Sequence, residues 1–261
     1  MRQQYGQNFL VNEGIINKIV TAAVAVSEGA RVVEIGPGKG ALTFALIKHG
    51  FKNFTLVEID SEMVNFLSSA LPAEAGVKII NEDFLKFPTE DLPAEDTVFI
   101  SNLPYIWAAE ILRKTLCYKY FKAAVYMFQR EQARRITAAQ NSEFYGPISL
   151  QSQVRADITS VTRVSPGSFN PPPKVESEVL AFSKNLKIEE NLLPLFDNVT
   201  RAAFAYKRKN IINSLTEGMD VDKDIFTAAL NAAAVNPAAR AQEIALADYI
   251  LLVKILKKMI N

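Results

Sequence analysis

The run Val32-Val33-Glu34-Ile35-Gly36-Pro37-Gly38-Lys39-Gly40-Ala41-Leu42-Thr43 constrains the fold more than any other part of the chain. A short apolar, β-branched stretch leads into a turn with glycine at alternate positions and then into a helix-forming stretch. This is a buried strand, a tight turn and a helix, the repeating unit of a parallel sheet. Gly36 and Gly38 carry no Cβ, so a ligand can approach the backbone there. In an open α/β sheet such a turn lies at the carboxyl edge, where ligands bind. The loop marks a nucleoside-cofactor site without naming the cofactor. Gly36, Gly38 and Ala41 also satisfy the dinucleotide pattern G-x-G-x-x-A, which leaves an NAD enzyme in play.

The same alternation continues along the chain. Patterning predicts strands near 31–35, 54–59, 77–80, 97–101 and 123–128, and helices near 13–26, 40–49, 61–70, 107–117 and 130–139. Segments near 154–164 and 175–183 read as a closing antiparallel pair. After Lys184 the strand pattern stops, and amphipathic helices follow, separated by Gly218 and by Asn236-Pro237. The expectation is an α/β domain over 1–184 and a small helical domain over 185–261. A chain of 261 residues, 49% of them hydrophobic, can bury a core for each.

Three further positions narrow the chemistry. Glu58 ends the strand-like run Phe54-Thr55-Leu56-Val57-Glu58 about twenty residues after the glycine loop, a spacing that places an acid near a ribose diol in either cofactor. Asp83, just beyond Val77-Lys78-Ile79-Ile80, can accept a hydrogen bond from the amino group of a cofactor adenine and favours S-adenosylmethionine; its plain alternative is a turn acid. Asn102-Leu103-Pro104-Tyr105, after Thr97-Val98-Phe99-Ile100, suits methylation of an exocyclic amino group. The N6 lone pair of adenine is delocalised into its ring. An enzyme must therefore accept hydrogen bonds from the amino group to draw that pair toward a methyl donor. Asn102 offers a side-chain carbonyl, Leu103 a main-chain carbonyl held by the fixed φ of Pro104, and Tyr105 a ring to stack on an extruded base. The plain alternative is a tight turn ending a buried strand.

Charge and composition exclude several other classes. The net charge is +1, so contact with nucleic acid must rest on local patches. Arg113 to Arg135 holds seven Lys or Arg against the single acid Glu131, and Arg201 to Lys209 holds four and no acid. Cys117 is the only cysteine, so no intrachain disulfide forms and no cysteine-rich zinc site exists. It stands in a helical stretch without a proline-cysteine context, which argues against methylation of a pyrimidine through a thiolate. His49, the only histidine, falls at the end of a predicted helix, where it suits the helix C-terminus better than a triad or a metal site. No metal is expected. No signal or membrane-spanning run is visible, which places the protein in the cytoplasm.

Taken in order, these motifs resemble the rRNA adenine N6-dimethyltransferases, the family of the KsgA and Erm enzymes. The resemblance begins at Gly6-Gln7-Asn8-Phe9-Leu10 and passes through the glycine loop, Glu58, Asp83 and Asn102 to Tyr105. It continues to Phe169-Asn170-Pro171-Pro172-Pro173-Lys174-Val175 and to Phe204 through Leu215. The last segment and Arg240-Ala241-Gln242-Glu243-Ile244 look like the KsgA branch. The resemblance implies an α/β fold with a Rossmann-like class I methyltransferase core dependent on S-adenosyl-L-methionine and a small C-terminal all-helical domain. It further implies that Asn8 and Leu10 line the cofactor site and that Gly36 contacts the methionine end, with Gly38 beside it. Glu58 would hold the ribose, Asp83 the cofactor adenine, Asn102 both methionine and target amino group, and Tyr105 and Phe169 the two faces of the target base. The chain departs from the family at Ile212, where an arginine is usual, at Ser101, where glycine is frequent, and in an N-terminal arm whose one basic residue before Gly6 is Arg2. The first and last remove expected phosphate contacts.

The implied reaction is direct attack of the amino nitrogen of a flipped adenosine on the sulfonium methyl, promoted by positioning and desolvation. The implied substrate is a pair of adjacent adenosines in the 3′-terminal hairpin of small-subunit rRNA, met on a precursor particle in a cleft between the two domains by a monomeric enzyme. Three rival readings are an Erm-like enzyme of the large subunit, an assembly factor with little catalysis, and an NAD-dependent oxidoreductase. The last leaves Asn102 to Tyr105 and Phe169 unexplained.

Overall fold

A computed structural model describes residues 8–92, 94–206 and 208–260. Gly6, Gln7, Arg2 and Lys207 lie outside the described residues. The chain divides into two compact units. The first runs to Ala133 and resumes over Ile158–Lys184; the second is Arg134–Asp157 with Asn185–Asn261.

In the first unit, β1 (Phe9–Leu10) and α1 (Glu13–Val26) precede the alternation β2 (Arg31–Ile35), α2 (Ala41–Lys48), β3 (Thr55–Glu58), α3 (Ser61–Ala70), β4 (Lys78–Asn81), β5 (Thr97–Asn102), α4 (Ala108–Leu116), β6 (Phe121–Gln129). Helix α5 (Arg130–Thr137) and α6 (Pro147–Gln153) lead to β7 (Ala156–Val164), β8 (Phe169–Asn170) and β9 (Ser177–Lys184). The main sheet has the order β4-β3-β2-β5-β6-β9-β7. Its first five strands are parallel and β9 is antiparallel to β6. Asn185 N donates to Arg155 O and Ser160 Oγ to Glu178, so partner numbers fall as β7 advances, which makes β7 and β9 antiparallel neighbours. The strand order reverses between β2 and β5, so the loops leaving their carboxyl ends diverge and leave a crevice there.

The parallel strands read as near-continuous apolar runs because helices cover both faces. Leu46, Leu56, Leu67, Val98, Ile100 and Val125 lie in one core, each with no exposed surface. Burial of each such side chain contributes about 1.5–3 kcal/mol. Asn12 and Asp60 start α1 and α3 by accepting Ile15 N and Glu62 N, which satisfies otherwise orphaned donors.

The second unit holds α6, α7 (Leu193–Phe204), α8 (Ile211–Gly218), α9 (Lys223–Ala232) and α10 (Leu246–Met259). Phe196, Phe226, Tyr249 and Leu252 fill its core. Residues 134–157, assigned on patterning to the first domain, group with these helices instead. The physical reason is α6, a helix absent from the sequence expectation. Of its four buried residues Ser149, Gln151 and Ser152 are polar and only Leu150 is apolar, so no apolar stripe announces it. Gln151 Nε2 donates to Thr200 Oγ1 at 3.2 Å, and Gln153 Nε2 to Ile136 O and Ala138 O at 3.0 and 2.9 Å. Arg155, 4% exposed, grips Asp197 through two parallel bonds of 2.9 and 2.7 Å. Ile212 lies in the same core at 8% exposure. The position is therefore a packing site in this chain, not a phosphate contact.

Candidate cofactor and base site

The glycine loop, the ends of β3, β4 and β5 and the short β1–β8 pair converge on one edge of the sheet. Gly36 has a φ of +63°, and no atom lies within 4 Å of where its Cβ would stand. Only glycine holds that conformation cheaply, and the open space in front is where a ligand can approach. Gly38 (φ +55°) is different: a Cβ there would stand 3.2 Å from the Phe9 ring, which covers the loop with Lys39 Nζ 4.6 Å from its centroid. Phe9 drew attention on sequence only as part of a motif; its contact with the loop depends on the β1–β8 pairing.

Glu58 is 2% exposed. Its Oε2 accepts Gly38 N and its Oε1 accepts Asp60 N, both at 2.9 Å. The carboxylate thus ties the glycine loop to the start of α3, and each oxygen retains a second lone pair for a ligand hydroxyl. Burial pushes its carboxyl above the usual range, with the two main-chain bonds opposing. Asp83 Oδ1 accepts Leu85 N at 2.9 Å, so the turn-acid alternative is realised by one oxygen. The loop behind it is held by Lys114, whose Nζ donates to the carbonyls of Phe84, Leu85 and Phe87.

Asn102 ends β5, opposite Met127 of β6. Its Nδ2 donates to Asn8 O at 3.3 Å, which turns the amide so that Oδ1 is the atom left for a ligand. Preceding it, Ser101 is fully buried and its Oγ donates to Ile35 O, the last carbonyl before the glycine loop. Ser101, which stands where the family frequently has glycine, links the two strand ends that frame the crevice. Leu103 is buried and Pro104 exposed. The hydroxyl of Tyr105, half-buried, meets Ser177 Oγ at 2.9 Å, and burial raises its phenol above the ordinary value.

Two positions sit differently from expectation. Leu10 is 4% exposed and packs into the sheet core, pairing with Phe169 across the β1–β8 ladder, so its side chain does not line an open site. Phe169 is also 4% exposed within that core. An aromatic on a two-residue strand satisfies the apolar interior first, and most of its surface is spent there. The main chain of β1, through Asn8 O, makes the contact with Asn102.

Sequence reasoning passed over Glu34. It is 1% exposed, receives Thr43 Oγ1 at 2.7 Å, and burial pushes its carboxyl up to about 8, with Glu58 adding to the rise. An acid inside an apolar strand was the available signal.

Among the basic candidates, Lys114 and Lys122 hold main-chain carbonyls, Arg130 pairs with Glu176, and Lys209 pairs with Glu217. His49 Nδ1 lies 2.9 Å from Ala45 O at the end of α2, and Cys117 is exposed at the end of α4. Among the described residues no group of three or more His, Cys, Asp or Glu is arranged to hold a metal ion, and no helix is long and apolar enough to cross a membrane.

A family model described as ribosomal RNA adenine dimethylase matches residues 1–258. The chain belongs to the ribosomal RNA adenine dimethylase family. It is 36% identical over 215 residues, 82% of this chain and 83% of the relative, to ribosomal RNA small subunit methyltransferase A of Mycoplasmopsis pulmonis. It is 35% identical to the protein of the same name from Leuconostoc mesenteroides, over 95% of this chain and 87% of that one. Among solved structures, a dimethyladenosine transferase from Plasmodium falciparum superposes with a TM-score of 0.78 at 25% identity, covering 96% of this chain and 98% of that one. The 23S rRNA methyltransferase ErmE superposes at 0.71 and 24% identity, over 96% and 100%, and shares the fold. The dimethylases use S-adenosyl-L-methionine, and the residues here fit it: open space at Gly36, spare acceptor capacity on Glu58, an Asp83 carboxylate with one oxygen committed, and the oriented Asn102 carbonyl.

Proposed function

We propose that this chain dimethylates N6 of two adjacent adenosines in the 3′-terminal hairpin of small-subunit rRNA, acting as a cytoplasmic monomer on a precursor particle. The curated relatives named as small-subunit methyltransferases support the subunit assignment. The observation that supports the chemistry is the Asn102 amide, whose nitrogen donates to Asn8 O; Oδ1 is then the acceptor offered to a target amino group. S-adenosyl-L-methionine supplies an activated methyl group when bound.

The chain's own residues do the rest by placement. Asn102 Oδ1 and Leu103 O accept the two amino protons of the target and draw its lone pair out of conjugation with the ring. The amino proton then passes to solvent, so no strong base is required. Tyr105, its hydroxyl anchored on Ser177, presents a ring to one face of the base. Phe169, buried in the core beneath, backs the site rather than offering a free face to the base. Glu58 takes the ribose through its spare lone pairs, Asp83 takes the cofactor adenine through Oδ2, and Gly36, with Gly38 and Asn8 beside it, borders the methionine end. Stacking of a base on an aromatic ring is worth about 1–3 kcal/mol, which offsets part of the cost of extruding the adenosine.

The test is methyl transfer from labelled S-adenosylmethionine to unmethylated small and large subunits, with identification of the modified nucleoside. Dimethyladenosine confined to the small subunit is expected. Label confined to the large subunit, or a modified nucleoside other than adenosine, overturns the proposal. An Asn102→Ala variant separates catalysis from assembly: it should bind small subunits and transfer at least about a hundredfold more slowly.

A further inference from the structure

The turn that carries the base site continues into two large apolar residues exposed on the surface. Ile106 is 79% exposed and Trp107 53%. Their position is fixed. Trp107 N donates to Pro104 O at 3.0 Å, closing the turn, and Trp107 O accepts Ile111 N at 3.0 Å, so the residue is built into the start of α4. Tyr105, between Pro104 and these two, turns inward to Ser177, while its neighbours face solvent. A rigid indole with two rotatable bonds, two residues beyond a half-buried tyrosine and exposed at no benefit to folding, is a surface kept for contact.

We infer that Trp107, flanked by Ile106, is a stacking platform for the nucleotide next to the target adenosine. This rests on the proposed reaction and adds to it. When one base is drawn to Asn102, its neighbour in the strand loses a stacking partner and exposes a flat apolar face. An indole on the same turn replaces that partner. The platform joins the base site without a break in the chain, which favours a nucleobase over a separate protein partner. It accepts any base, since stacking requires only a π-face, so it discriminates unstacked from helical RNA, not one sequence from another. Trp107 here is a positioning residue: it holds the strand so that the adjacent adenosine reaches the acceptors.

The experiment uses the fact that the chain contains a single tryptophan, so indole emission reports on this position alone. The full-length protein is titrated with an unmethylated RNA hairpin bearing two adjacent adenosines, following fluorescence and, in parallel, filter binding. Quenching that saturates with binding is expected. In methyl transfer, Trp107→Ala should raise KM for RNA by about 5- to 150-fold, the equivalent of one stacked base. Its kcat and its affinity for S-adenosylmethionine should remain near wild type, and Trp107→Phe should recover most of the loss. RNA that binds without changing the indole emission, or a Trp107→Ala variant with unaltered KM, overturns the platform while leaving the reaction standing. Absence of methyl transfer to small subunits by the wild type together with quenching by the hairpin would sink the reaction and reduce Trp107 to a general RNA contact; absence of hairpin binding would sink the platform.

Discussion

The two units solve the same problem, an ionisable group inside a packed core, in opposite ways. At the glycine loop, Glu34 and Glu58 are 1% and 2% exposed, and neither forms an ion pair with a described residue. Glu58 is satisfied by main-chain N–H groups, and Glu34 by a threonine hydroxyl and a retained proton. In the helical unit, Arg155 is matched by a geometrically complementary carboxylate, Asp197. A counterion locks an arrangement, whereas carboxylates held by backbone donors keep acceptor capacity and remain open to a ligand. The unit that must bind something avoids counterions at its centre.

Breaking the ion pair should give the largest stability effect. Asp197→Ala leaves the Arg155 guanidinium buried without its partner and should cost about 3–5 kcal/mol in denaturant unfolding, with cofactor affinity of the folded fraction unaltered. A loss below 1 kcal/mol would show that the pair is dispensable and that the contrast is wrong.

Glu34 should respond to pH in the opposite sense to a paired acid. Its folded value, near 8, lies above the ordinary 4.5, so the folded chain binds the proton more strongly than the unfolded one. Its contribution is complete below about 4.5 and is lost as pH rises toward 8, and the protein should lose stability across that window by up to a few kcal/mol. Glu34→Gln keeps an acceptor for Thr43 and should flatten the slope. A slope unchanged in the variant would assign the pH dependence to other groups.

Smaller changes sharpen the ligand side of the comparison. Asp83→Ala should weaken S-adenosylmethionine binding by about 1–3 kcal/mol in calorimetry, from one lost hydrogen bond, while Tyr105→Ala should lower RNA turnover and leave cofactor affinity nearly intact. Equal effects of both on cofactor affinity would contradict the division of roles. Ser101→Ala removes the link to Ile35 O and should cost about 1 kcal/mol of stability, with a rise in KM for the cofactor if the link also holds the crevice.

Much of the sheet unit was legible because its signals are local. An apolar run, a glycine turn and a helix are written in consecutive residues, and α1 and α3 fall where their caps and periodicity place them. The acids at strand ends, Glu58 and Asp83, and the turn at Asn102 were legible for the same reason. The helix α6 was not, because its buried face is mostly polar and acquires meaning only against Thr200, Ile136 and Ala138.

The sequence by itself determined the parallel α/β architecture, the sheet edge that carries the site and the residue types that meet there, since each follows from short-range pattern and backbone sterics. Tertiary structure decided what those residues are free to do. Pairing of residues as distant as Phe9 and Asn170 put Asn8 O against Asn102 and turned its amide, buried Phe169 and Leu10 in the core, and left Trp107 outside. Orientation and exposure depend on which distant segments compete for the same space, and no local pattern contains that information.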